Sequence, residues 1–76
     1  MVGYRQRWGE RIKAARIAAG HSQRSFAVAM NVDQAVVSRW ERGLMTPREH
    51  RKIRIAELLD VHVDALFGYD DTEDVA

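Results

Sequence analysis

Between Ser22 and Gly43 the chain reads SQRSFAVAMNVDQAVVSRWERG, and only Asn31, Val32 and Asp33 separate two stretches of helical periodicity. This constrains the fold more than any other feature, because a helix of about two turns is not stable alone and must be covered by other elements. In the first stretch, Gln23 to about Met30, the residues Phe26, Ala27 and Met30 share one face and Arg24 lies on the other, with Ser22 as N-cap. In the second, Gln34 to Arg42 after an Asp33 cap, Val37 and Trp40 face inward, leaving Gln34, Ala35, Ser38, Arg39 and Arg42 outside. Asn31 suits the turn because asparagine tolerates left-handed backbone better than most non-glycine residues, and Val32 supplies an apolar anchor just past it.

The flanking segments supply the cover. Upstream, Tyr4, Trp8, Ile12, Ala15 and Ala19 line one face of a helix that ends near Ala19, with Gly20 closing it. Downstream, Gly43 stops the second stretch, and Thr46, Pro47 and Glu49 read as a capping box that opens a fourth helix running to about Leu59. Its expected buried residues are Ile53, Ala56 and Leu59, together with Ile55. His62, Val63 and Asp64 read as the capping sequence of a short fifth helix, about Val63 to Phe67, that closes the core with Val63, Leu66 and Phe67 before Gly68 stops it. Trp8, Phe26 and Trp40 are expected in the core rather than as stacking platforms. The sequence therefore predicts an all-α, compact five-helix bundle over residues 1–68, followed by an acidic, flexible C-terminal tail over residues 69–76.

Composition narrows the function. Cysteine is absent, which excludes disulfides and thiolate metal sites. His21, His50 and His62 are scattered, with no paired carboxylates, nucleophile and base arrangement or glycine-rich phosphate loop, so no enzymatic activity, metal, cofactor or small-molecule ligand is expected. No apolar run approaches the roughly 18 residues of a membrane span and no secretory signal is evident, so a cytoplasmic location is expected. Charge is strongly divided. All twelve Lys and Arg residues lie at or before Arg54, against four acids there, a balance of +8; the remainder carries seven acids and no base. Such asymmetry fits a nucleic-acid partner, and equally a solvated surface with an acidic solubilising end.

Two short helices about a tight turn, the second polar outside, form the arrangement whose second helix enters the DNA major groove. The residues resemble the Cro/C1-type (lambda-repressor-like, XRE) family. Ala27 takes the small position of the first helix and Asn31 the turn. Phe26, Met30, Val32, Val37 and Trp40 take the apolar positions, Ser22-Gln23 the start, and Ser38-Arg39-Trp40-Glu41-Arg42-Gly43 the end of the recognition helix. The resemblance covers residues 8–67, with departures where Asn31 and Asp60 replace usual glycines and Glu49 and Lys52 replace apolar residues. It implies a lambda-repressor-like bundle, with helices 2 and 3 as the helix-turn-helix, and a buried ion pair between Arg16 and Glu41.

Sorted by physical role, Gln34, Ala35 and Arg39 are the expected base-reading residues, and Gln23, Ser38, Arg42 and Arg48 the expected phosphate contacts. Arg24, Arg51 and Lys52 are weaker candidates within a general basic field, and Val36 either touches a base or packs at the helix margin. The expected partner is operator DNA, bound by a small transcriptional regulator of the Cro, repressor or antitoxin kind. A homodimer, at least on DNA, would pair around Val61, Val63, Phe67 and Tyr69; a monomer that pairs only on DNA is the other arrangement. From a different class, a protein-interaction module could use the acidic tail and read DNA weakly or not at all.

Overall fold

The computed structural model describes residues 3–68, so the tail expected over residues 69–76 lies outside the described residues. Five helices follow in order: α1 (Tyr4–Ala18), α2 (Gln23–Met30), α3 (Gln34–Glu41), α4 (Glu49–Leu59) and α5 (Val63–Phe67), with no strand among the described residues. α1 packs on α3 and α5, α2 on α3 and α4, and α4 on α5. Ile12, Phe26, Val37 and Ile55, one from each of the four longer helices, are fully buried where those helices converge. Trp8, Trp40, Leu59, Leu66 and Phe67 extend the same core toward α5.

Local chemistry fixes the start of α2 and the corners on either side of the α3–α4 segment. At the start of α2 the Ser22 hydroxyl accepts from the Ser25 N–H at 2.9 Å, while the Ser25 hydroxyl accepts from the Ser22 N–H at 3.0 Å, a reciprocal capping box. Between α2 and α3, Asn31 is left-handed at φ 58, and the Val32 N–H reaches back to the Ala27 carbonyl at 3.0 Å. The corner between α4 and α5 repeats the device, with Asp60 at φ 56 and the Val61 N–H on the Ala56 carbonyl at 3.0 Å. α2 thereby meets α3, and α4 meets α5, through the same backbone closure.

Several expectations are corrected. Asp33 and His62 occupy N-cap positions, but neither side chain caps its helix. α3 ends at Glu41, with Arg42 as its C-cap. The capping box at Thr46, Pro47 and Glu49 does not form. Pro47 is buried in the α3–α4 connection, and α4 begins only beyond it, with extended Arg48 as N-cap. The Glu49 carboxylate, instead of reaching back, accepts from the Lys52 ammonium at 2.9 Å. Ile53 is 58% exposed, because the inward face of α4 is Lys52, Ile55, Ala56 and Leu59, the i, i+3, i+4, i+7 set. The Lys52 ammonium lies 4.4 Å from the centre of the Trp8 ring and 5.5 Å from that of Phe67, its stem taking the space of an apolar side chain. Val63, expected to close the core, is 39% exposed at the start of α5.

Candidate nucleic-acid interface

The outward face of α3 is held from behind by a continuous polar chain. Arg16 on α1 donates to Glu41 on α3 through a guanidinium fork, Nε to Oε2 at 2.6 Å and Nη2 to Oε1 at 3.1 Å, and its Nη1 donates to the His21 carbonyl at 2.8 Å. The side chains are 9% and 3% exposed, so both charges are removed from water and depend on each other and on polar neighbours for compensation. Glu41 Oε1 also accepts from Gln23 Nε2 at 3.0 Å, and Gln23 Oε1 accepts from Gln34 Nε2 at 3.4 Å. The chain thus runs from the scaffold helix, through the end of α3 and the start of α2, to the first residue of α3.

Backbone contact completes the support. A Cβ on Gly9 would lie 2.6 Å from the Glu41 carbonyl oxygen, and closer still to that of Trp40. Only glycine lets α1 approach the last turn of α3 this closely.

With α3 so fixed, Gln34, Ala35 and Arg39 are exposed on its outer face, Arg42 is exposed just beyond its end, and Ser38 is half-buried among them. Arg48 is exposed at the start of α4, and Arg24 on α2. Val36 is partly buried against the core, so its packing role is visible in the structure. Two candidates from the basic field are occupied elsewhere. Arg51 donates to the Met30 carbonyl at 3.2 Å, satisfying the end of α2, where a cation also meets the negative end of the helix dipole. Lys52 is engaged with Glu49, Trp8 and Phe67. Gln23, expected on phosphate, has its amide divided between Glu41 and Gln34.

The sequence matches the helix-turn-helix family over residues 12–66. The chain belongs to the Cro/C1-type helix-turn-helix family. It is 32% identical over 63 residues to the HTH-type transcriptional regulator ImmR of Bacillus subtilis (strain 168), a match over 83% of this chain and 50% of that protein. The chain thus spans about half the length of this curated relative. Among solved structures it is similar to the restriction-modification controller protein C.AhdI from Aeromonas hydrophila, with a TM-score of 0.75, 29% identity, and coverage of 82% of this chain and 94% of that one.

Within this helix-turn-helix domain, two contributors escape a reading of the sequence. Gly9 carries a faint signal, a glycine inside a helical pattern where alanine would be better by about 1 kcal/mol. The bridging role of Gln23 carries none, since its partners stand 18 and 11 positions away. No helix among the described residues is long and apolar enough to cross a membrane. Nor do the described residues include a His, Cys, Asp and Glu group able to hold a metal ion.

Proposed function

We propose that this protein is a sequence-specific double-stranded DNA-binding transcriptional regulator that lays α3 in the major groove and acts without catalytic chemistry. The observation that carries the reading is the Arg16–Glu41–Gln23–Gln34 chain, which anchors the first outward residue of α3 to the scaffold. Gln34 can pair with adenine, Arg39 with guanine, and the Ala35 methyl can meet that of thymine. Arg48, Arg42 and Ser38 supply phosphate contacts around them, with Arg24 in the surrounding field. Family membership and the names of two relatives, a transcriptional regulator and a controller protein, support the same role. Neither fold nor relatives favour the protein-interaction alternative.

Selection of bound sequences from a random duplex pool tests the reading. Gln34→Ala and Arg39→Ala should each relax preference at one base position, worth about 1–3 kcal/mol of discrimination. Arg48→Ala should instead weaken all sequences alike and lower the salt slope by about 1. Equal losses at every position for all three variants would refute this division.

Two copies bind half-sites about 34 Å apart in this reading. The expected pairing surface needs revision, because Phe67 is buried and Tyr69 lies outside the described residues. Ile53 and Val63 are exposed and share a shallow groove with Ala56 and Val61, which supports putting them at the apolar centre of the pairing surface. Ile53→Asp should raise the concentration needed to half-saturate a palindrome by about tenfold, equivalent to about 1.4 kcal/mol, with an unchanged melting temperature. Wild-type binding to a palindrome without cooperativity would remove the second copy and leave base reading intact.

A further inference from the structure

We propose that Arg5 on α1 joins Arg42 across the α3–α4 turn in gripping a DNA backbone phosphate outside the base-read segment. The footprint of one copy then extends past the C-terminal end of the recognition helix. This rests on the reading of α3 as the DNA-reading helix.

The α1 positions Arg5, Gly9, Ile12 and Arg16 follow spacings of four, three and four, one stripe of the helix. Three of them are buried, with Gly9 against the carbonyls of Trp40 and Glu41 and Arg16 on the Glu41 side chain. One turn before Gly9, the stripe passes beyond the end of α3 and meets the turn that follows it. There a Cβ on Gly43 would lie 3.0 Å from the Gln6 Cα and 3.4 Å from the Arg5 carbonyl carbon. Arg5 is therefore rooted at this contact and Arg42 one residue from it, and both are exposed.

The Arg5 side chain lies beside Tyr4. Its Nε donates to the Tyr4 hydroxyl at 3.4 Å and its guanidinium carbon lies 5.9 Å from the centre of the Tyr4 ring. Tyr4 in turn sits edge-on to buried Trp8, with ring centres 4.9 Å apart. The first turn of α1 contains no acid, and among the described residues the ion pairs involve neither Arg5 nor Arg42. With neither arginine in an ion pair among the described residues, an anion placed between the two would be attracted by both charges. Beside a recognition helix that anion is a phosphodiester, and Arg is well suited to it because its planar fork binds two oxygens at once.

The test is salt-dependent binding of the full chain to its selected duplex, for wild type, Arg5→Ala and Arg5→Lys. Losing the contact should lower the slope of log affinity against log salt by about 0.9 per bound copy, with the base preferences kept and the slope restored by Arg5→Lys. Trimming the duplex flank should weaken wild type and leave Arg5→Ala unaffected. If truncation loosens α1, Arg5→Gln makes the same comparison by removing the charge while keeping most of the side chain. An unchanged slope in the charge-removing variant, with wild type still binding its operator specifically, overturns the flank contact alone. Absence of any sequence-preferring binding by wild type overturns the reading beneath it.

Discussion

Arg16→Ala should cost about 3–5 kcal/mol of folding stability and take operator binding with it. The reason is what it leaves behind. Glu41 would remain as a carboxylate whose side chain is 3% exposed, with Gln23 as its hydrogen-bonding neighbour and no second ion-pair partner among the described residues. The His21 carbonyl would also lose its donor, loosening the link from α1 to α2. A chain of 76 residues has a total stability of roughly 4–11 kcal/mol, so this loss removes much of the reserve. In a thermal melt it should appear as a fall of at least about 12 °C. The apolar double replacement Arg16→Met with Glu41→Leu separates positioning from stability. It should recover most of the melting temperature, because a buried pair barely repays its desolvation, yet bind DNA more weakly than wild type because the anchor for Gln23 and Gln34 is gone. Arg16→Ala that melts and binds like wild type would sink the argument.

Gly9→Ala should destabilise the domain by about 2–3 kcal/mol, even though alanine is the better helix former by about 1 kcal/mol. The added methyl would sit 2.8 Å from the Glu41 carbonyl carbon and nearer still to two carbonyl oxygens, all of them backbone atoms of α3 and none able to rotate away. α1 and the last turn of α3 must therefore separate. That movement pulls at the Arg16–Glu41 fork and tilts the face that carries Arg39. Gly9→Ala should consequently lose specific affinity by more than its unfolded fraction accounts for, measured by titrating operator and random duplex at a temperature where the variant stays folded. A variant at least as stable as wild type would show that α1 and α3 can part without loss.

How much of this could be read from the chain depended on distance along it. Phe26, Val37 and Trp40 announce themselves by helical spacing, and Ser22 and Asn31 by the preferences of caps and turns; each of these signals is complete within a few residues. The opening of α4 shows the opposite. Thr46, Pro47 and Glu49 spell a locally sound capping box, but Pro47 is buried ahead of the helix, α4 starts only at Glu49, and the Glu49 carboxylate pairs with Lys52 instead. Lys52 misleads a second time, since polarity alone sends it outward while its methylene stem and ammonium suit the faces of Trp8 and Phe67. Ile53 is displaced to the surface as a result. At the candidate interface, the residue types on the outer face of α3 are legible, whereas the Gln23 bridge and the Gly9 contact are not. They join elements far apart in sequence, and periodicity cannot express that.

The twin corners at Asn31 and Asp60 also bear on how quickly the domain assembles. Each closes with backbone bonds reaching only three to five residues back, from Asn31 to Val28 and Val32 to Ala27, then from Asp60 to Glu57 and Val61 to Ala56. Closing so short a loop takes tens of nanoseconds and little entropy, so both bends can be sampled while the helices beside them are still flickering. The slower events should then be the long-range closures, such as Arg16 on Glu41, 25 residues apart, and Trp8 on Phe67. Folding becomes the docking of two prebent halves onto α1, a route suited to millisecond or faster assembly.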